Sequence, residues 1–262
     1  MAADLSCALP PVLVDRDGAI AIVTLNRPES LNAMDQAMAE ALARIGDQLA
    51  ADASVSVVVI RGAGQGFCAG GDIEVFARNL DAIDPAIRGL LNALHHFLLR
   101  LREMPKLVLT SIHGAVAGAG FSLAFMGDMC IAADNVRLRP AYAKLGVSPD
   151  GGGTIGIVDA VGARWAMKIF LAGDELSCED ALALGLVTRV VPAADLERET
   201  LAAARRLAEI NAAALAATKA LIYRRAGGDI AGQLDAEMEK LIGCMDSASF
   251  RERVRAFVGK SS

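Results

Sequence analysis

The sequence has only three histidines, and its five cysteines (Cys7, Cys68, Cys130, Cys178 and Cys244) include no CxxC pair. Ligands so dispersed offer no spacing that would hold zinc, and no metal site is expected. The cysteines read as reduced thiols of a cytoplasmic protein. Long blocks of like charge are missing too. The net charge of −5 arises from interspersed acids and bases, which argues against a general phosphate-backbone binder and against nucleic acid as a partner. A secretion signal is also wanting, because Asp4, Asp15, Arg16 and Asp17 break the first apolar run. Leu107 to Gly127 is uncharged, but it holds four glycines and His113 and lacks basic flanking clusters. That composition fits a buried strand-loop-helix better than a membrane span.

What is present is a chain of 262 residues, 54% of them hydrophobic, enough to bury a large core in one sizeable domain. Ala19 to Leu25 (AIAIVTL) and Val55 to Ile60 (VSVVVI) are apolar, β-branched runs that read as strands, the second buried on both faces. Between them, residues 33 to 51 place Met34, Met38, Ala41, Leu42, Ile45 and Leu49 at helical spacing. A helix over Pro85 to Arg102, a strand at Leu107 to Ile112 and a helix onward to Met126 repeat the pattern around Gly114, Gly118 and Gly120. Further strands are read at Cys130 to Ala133, Val136 to Leu138 and Leu186 to Val191, with a glycine-capped helix end at Leu182 to Gly185. After Pro192 the patterning is helical: an Ala-rich stretch through Ala220, then Gly232 to Met245 and Ser249 to Val258. The recurrence of strand, glycine loop and helix indicates an α/β architecture. The helical tail would pack on a neighbouring subunit or on its own domain.

Two glycine-rich stretches stand between strand and helix. The first, Arg61 to Ile73 (RGAGQGFCAGGDI), has neither the GxGxxG of a dinucleotide site nor a GK[ST] step. The second is His113 to Ser122 (HGAVAGAGFS). Each could be a simple linking turn. Together they could bring two backbone N–H donors to one oxygen, the geometry of an oxyanion hole.

In combination, LNRPESLNAM (Leu25 to Met34), GFCAGGDI (Gly66 to Ile73), HGAVAGAGFSLA (His113 to Ala124) and KLGVSPDGGGT (Lys144 to Thr154) resemble the enoyl-CoA hydratase/isomerase, or crotonase, superfamily. The resemblance runs from about residue 19 to the C-terminus. It implies an α/β spiral of ββα units over residues 1–195 with the acyl-CoA site, and a C-terminal all-helical segment, 196–262, for oligomerisation. It also implies an acyl-CoA thioester substrate, no cofactor beyond its CoA moiety, and a homotrimer or a dimer of trimers. The N–H groups of Gly71 and Ala119 would hold the thioester oxygen, with Ala69, Gly70, Asp72, Ile73, Gly118 and Gly120 around the substrate. In SASFRERVRAFVGK (Ser247 to Lys260), Phe257 and Lys260 match positions near the CoA nucleotide, although a terminal lysine is as readily a solvated one.

Hydratases of this superfamily use two glutamates, and here those positions are Ser122 and Tyr142. Neither can activate water as a carboxylate. Asp150 remains, in Ser148-Pro149-Asp150-Gly151-Gly152-Gly153. Between Pro and Gly an aspartate usually caps a helix or sits in a turn. At the matching position of ring-opening and double-bond-shifting isomerases, however, an aspartate transfers the proton. One carboxylate is enough for that shuttle, and burial would raise its pKa usefully. The expectation is therefore an isomerase with Asp150 as acid/base, Gly71 and Ala119 as oxyanion donors, and Ser122 and Tyr142 lining the acyl pocket. Three other readings stand: a dehalogenase-like hydrolysis with Asp150 as nucleophile and His95 or His96 as base, a non-catalytic acyl-CoA binder, and a hydratase lacking both glutamates.

Overall fold

The computed structural model describes residues 9–172 and 175–259. Cys7, Asp4 and Lys260 lie outside the described residues. The elements follow in chain order: β1 (Val12–Asp17), β2 (Ile20–Leu25), α1 (Gln36–Ala51), β3 (Val57–Gly62), β4 (Gly66–Cys68), α2 (Ile73–Arg78) and α3 (Ile83–Glu103). Next come β5 (Leu107–Ile112), β6 (Ala115–Ala117), α4 (Ala119–Ala124), β7 (Met129–Ala133), β8 (Arg137–Arg139), α5 (Tyr142–Leu145), α6 (Gly153–Ala172), α7 (Cys178–Ala183) and β9 (Arg189–Val191). Four helices close the described chain: α8 (Leu196–Ala208), α9 (Ala212–Ala226), α10 (Ile230–Met245) and α11 (Ala248–Val258).

The main sheet runs β1-β2-β3-β5-β7-β9, antiparallel at β1/β2 and parallel thereafter, and a small sheet runs β4-β6-β8, parallel throughout. Each of three successive turns of the chain contributes one strand to each sheet, which is the expected α/β spiral. The continuous apolar runs are explained by burial of both faces of the main sheet. Val23, Leu25, Val58 and Ile60 face the large core with α1 and α3, while Ile22, Val57, Val59 and Leu109 face the other way, with Leu196 and Ala204 of α8 in the same cluster.

Several boundaries differ from the sequence reading. Residues 33 to 35 do not join α1, because Met34 pairs with the first glycine loop: its N–H donates to Gly70 O at 2.7 Å and its carbonyl accepts from Asp72 N–H at 3.0 Å. Asp35 then caps the helix by accepting from Met38 N–H. The Ala-rich tail is two helices, broken at Glu209 to Asn211, where Asn211 caps the second. Strand β9 starts at Arg189, later than Leu186. Helix α7 spans Cys178–Ala183, and Gly185 follows with φ 78°, the left-handed step expected of a glycine stop. Strand β1 and helix α6 were not read from the sequence at all. The latter is interrupted by Gly162 and does not confine its apolar residues to one face, so it shows no stripe.

Candidate active site

The site begins with the approach of the two glycine loops. Parallel pairing of β4 with β6 sets Gly66 beside Ala115 and Cys68 beside Val116. Beyond that pairing the backbones nearly touch. A Cβ on Gly120 would lie 2.2 Å from Cys68 O, and one on Gly70 would lie 2.9 Å from Ala117 O. Contact this close is possible only without side chains. The first loop is further fixed by buried Asn32, whose Nδ2 donates to Ala63 O and Gly66 O at 2.8 Å each while its Oδ1 accepts from Arg27 N–H at 2.8 Å.

A narrow, largely apolar cavity opens where the loops meet. Ala69, Gly70, Gly71, Ile73, Gly118, Ala119, Tyr142 and Asp150 line it, and Ile87, Leu90 and Leu91 of α3 and Leu241 and Met245 of α10 supply apolar wall. Ala119 is the first residue of α4, so its N–H has no helical acceptor behind it. Gly71 sits between the two ladder bonds made by Gly70 O and Asp72 N–H and is bypassed by both. Among the described residues no backbone acceptor takes either N–H, and both residues border the cavity.

Asp150 is the one carboxylate among the described lining residues. It is buried, and its Oδ1 accepts from the Tyr142 hydroxyl at 2.7 Å. The Ser122 hydroxyl lies 2.7 Å from the same Tyr142 oxygen. A phenol has a single proton, so with Tyr142 donating to Asp150 the serine donates to Tyr142, giving a chain Ser122 to Tyr142 to Asp150. Burial pushes the Asp150 carboxyl up to about 6, and the Tyr142 hydroxyl acts in the opposite sense. Tyr142 is held well above the ordinary phenol range by burial and then by the Asp150 charge.

Not every sequence candidate reaches the cavity. Asp72 caps α2, accepting from Glu74 N–H at 3.1 Å and Val75 N–H at 3.4 Å, and pairs with Arg27. Gly120 is spent on the contact with Cys68, and Ser122 acts behind Tyr142 instead of on the wall. Phe257 lies on α11 with about half of its surface exposed and outside the cavity. Neither histidine of α3 lines it. His95 is buried with no partner for Nε2, and burial pulls its pKa down to about 4. His96 faces outward to Asp47 at 2.8 Å. Among the described residues no cluster of three or more metal-ligating side chains occurs, and no helix is long and apolar enough to cross a membrane.

One residue of the site was missed. Glu237 of α10 is buried beside the turn that follows Asp150: Oε2 accepts from Gly152 N–H at 2.8 Å, and Oε1 accepts from Thr154 N–H at 2.9 Å and from the Thr154 hydroxyl. Burial raises its carboxyl to about 7 despite these donors. A signal was available, since Glu237 falls on the apolar face formed by Leu234, Met238, Leu241 and Met245, where a carboxylate needs a reason to be.

Paired glycine loops, an apolar slot and the ββα spiral together define a crotonase-fold acyl-CoA enzyme, and the chain belongs to the enoyl-CoA hydratase/isomerase family, whose model matches residues 15–262. It is 36% identical to the 1,2-epoxyphenylacetyl-CoA isomerase of Escherichia coli K12, over 92% of each chain. It is 28% identical to the short-chain-enoyl-CoA hydratase of Clostridium acetobutylicum, over 95% of each. The crystal structure of an enoyl-CoA hydratase from Mycobacterium avium subsp. paratuberculosis K-10 superposes with a TM-score of 0.86 at 30% identity, covering 95% of this chain and 96% of that one. The family expectation and the fold expectation are thus both met. Relatives carry both hydratase and isomerase names.

Proposed function

We propose that this enzyme shifts a double bond in an enoyl-CoA, with Asp150 carrying the proton and the N–H groups of Gly71 and Ala119 holding the thioester oxygen. The observation that carries the reading is the composition of the cavity wall: one buried carboxylate, hydrogen-bonded to Tyr142, facing two unused backbone donors. Ionised Asp150 takes a proton from C2 of a 3-enoyl thioester. The electron pair spreads to the carbonyl oxygen as a dienolate, which the two N–H groups stabilise. The protonated Asp150 then gives its proton to C4, leaving the double bond between C2 and C3. Atoms and charge balance with no water consumed, and a carboxyl near 6 both accepts and returns a proton readily at neutral pH.

Hydration would require groups that orient and activate water, and the hydroxyls of Ser122 and Tyr142 are instead committed to each other and to Asp150. Dehalogenation would require a histidine on the wall, and His95 and His96 are both elsewhere. A second isomerisation, opening of an epoxide in an arylacetyl-CoA, is favoured by the 36% identity to a relative named for that substrate. Assembly as a homotrimer, or a dimer of trimers, is supported by apolar side chains left exposed on α6 and α9, including Trp165, Met167, Leu171, Leu221 and Ile222. The test is turnover of 2-enoyl-, 3-enoyl- and epoxy-arylacetyl-CoA by wild type and Asp150→Asn. The expected result is isomerisation without hydration, with kcat/KM lowered about 1,000-fold by the substitution. Near-wild-type isomerisation by D150N overturns the assignment.

A further inference from the structure

Asp150 stands at the head of a turn that cannot rigidify itself. Gly151, Gly152 and Gly153 follow it, the first two at φ 60° and 78°. At the second and third of these a side chain would collide: a Cβ on Gly152 would lie 2.5 Å from Met126 Sδ, and one on Gly153 would lie 2.5 Å from Ser122 Oγ. Helix α6 begins at Gly153, so the residue before it has no side chain to cap the first turn, and the early N–H groups need an acceptor from elsewhere. Three consecutive glycines are also the most mobile backbone a chain can write. Local bonds hold carbonyls of the turn, Asp150 O accepting from Gly153 N–H at 3.0 Å and Gly152 O from Ile155 and Gly156 N–H at 3.0 and 2.9 Å, but they leave the Gly152 and Thr154 N–H groups without a local acceptor.

We propose that Glu237 is a positioning residue for Asp150, clamping the Gly152–Thr154 turn from α10 so that the proton-carrying carboxyl holds its place against the thioester. The role rests on Asp150 being the acid/base. Its geometry is independent of that reading: one carboxylate 85 residues along the chain from Gly152 accepts from Gly152 N–H, Thr154 N–H and the Thr154 hydroxyl. Gln233, one turn earlier on α10, donates to Thr154 Oγ1 at 2.7 Å, so the helix grips the turn at two levels. The same helix face carries Leu241 and Met245 into the acyl cavity. One rigid element therefore sets both the wall that the acyl group meets and the backbone from which the proton is delivered, and misplacement of a reacting group by about 1 Å costs rate steeply.

The titratable groups facing this pair are few. Asp150 and Tyr142 interact with Glu237 from the site side. From α3, His95 faces Asp235 of α10, and Arg88 binds Glu239 at the surface. The Asp150 charge adds to burial in raising the Glu237 carboxyl.

The experiment compares E237Q and E237D with E239A and D150N in the full-length enzyme, using a 3-enoyl-CoA. Glutamine can still accept from Thr154, but its amide N–H₂ meets the Gly152 N–H donor to donor. Expected for E237Q is a kcat lowered about 100-fold with KM changed less than about threefold. Amide exchange at Gly152 and Thr154 should quicken. E237D, which keeps the charge one methylene short, should recover part of the lost kcat. E239A removes the exposed Arg88 pair, loosens α10 without touching the turn, and should keep kcat within about twofold. Wild-type kcat in E237Q beside an inactive D150N overturns the inference and leaves Asp150's role standing. Equal losses in E237Q and E239A also overturn it, because helix docking alone then accounts for them. Wild-type turnover by D150N overturns both.

Discussion

The hydroxyl of Tyr142 donates to Oδ1 of Asp150 at 2.7 Å, and both side chains are all but closed to solvent. A donated proton favours the ionised carboxylate, so the bond works against the burial that raises Asp150 to about 6. Tyr142 therefore sets how much of Asp150 is ionised at neutral pH.

Tyr142→Phe removes that donor and leaves burial unopposed. The acid limb of kcat/KM should move to higher pH by about one unit, with the rate near pH 9 changed little. A pH profile on one 3-enoyl-CoA checks it, and a limb that stays in place or moves down contradicts the hydrogen-bond account.

Asp150 also costs the fold stability. Its carboxyl holds its proton to about pH 6 in the native state, above the ordinary carboxylate value of the unfolded chain. Between those values the native state binds more protons. The resulting stabilisation is complete below the ordinary value and is lost as pH rises through about 6. Asp150→Asn, which keeps an acceptor for Tyr142, should thus be more stable than wild type at pH 8, by up to about 3 kcal/mol, with little gain at pH 4. Urea unfolding at the two pH values measures the difference.

Asn32→Ala leaves two carbonyls and one N–H without their buried partner. Loss of about 2–4 kcal/mol of stability is expected, with the urea m-value unchanged. Asn32 also sits at φ 57°, a conformation that alanine adopts less readily.

Gly120→Ala tests the approach of the two loops. Its Cβ would collide with Cys68 O, and backbone cannot swing aside as a side chain can. The expected outcome is folded protein by circular dichroism that binds acyl-CoA at least about tenfold more weakly and turns over correspondingly less. Wild-type affinity would show that the loops tolerate separation.

The legible parts of this molecule were those written in periodicity and glycine. Buried strands announced themselves as unbroken apolar runs, because both faces of the main sheet are covered. The glycine loops were legible because a close backbone approach leaves no alternative residue. Helix α6 was hidden, since exposed apolar side chains such as Trp165, Met167 and Leu171 beside buried ones blur the stripe that marks a helix. Asp72 is ambiguous for a related reason: an aspartate next to a glycine of the loop looks the same in sequence whether it faces a ligand or caps α2, as it does here. Glu237 was overlooked because two of its three donors are backbone N–H groups, and a backbone N–H has no letter.

The clamp from Glu237 to Gly152 spans 85 residues, which gives the site an order of completion. A chain emerging from the ribosome has both glycine loops and Asp150 well before α10 exists to seat the turn. Leu241 and Met245 of the cavity wall arrive with the same helix, so a nascent or C-terminally clipped chain would carry the glycine loops with neither a finished cavity nor a seated turn.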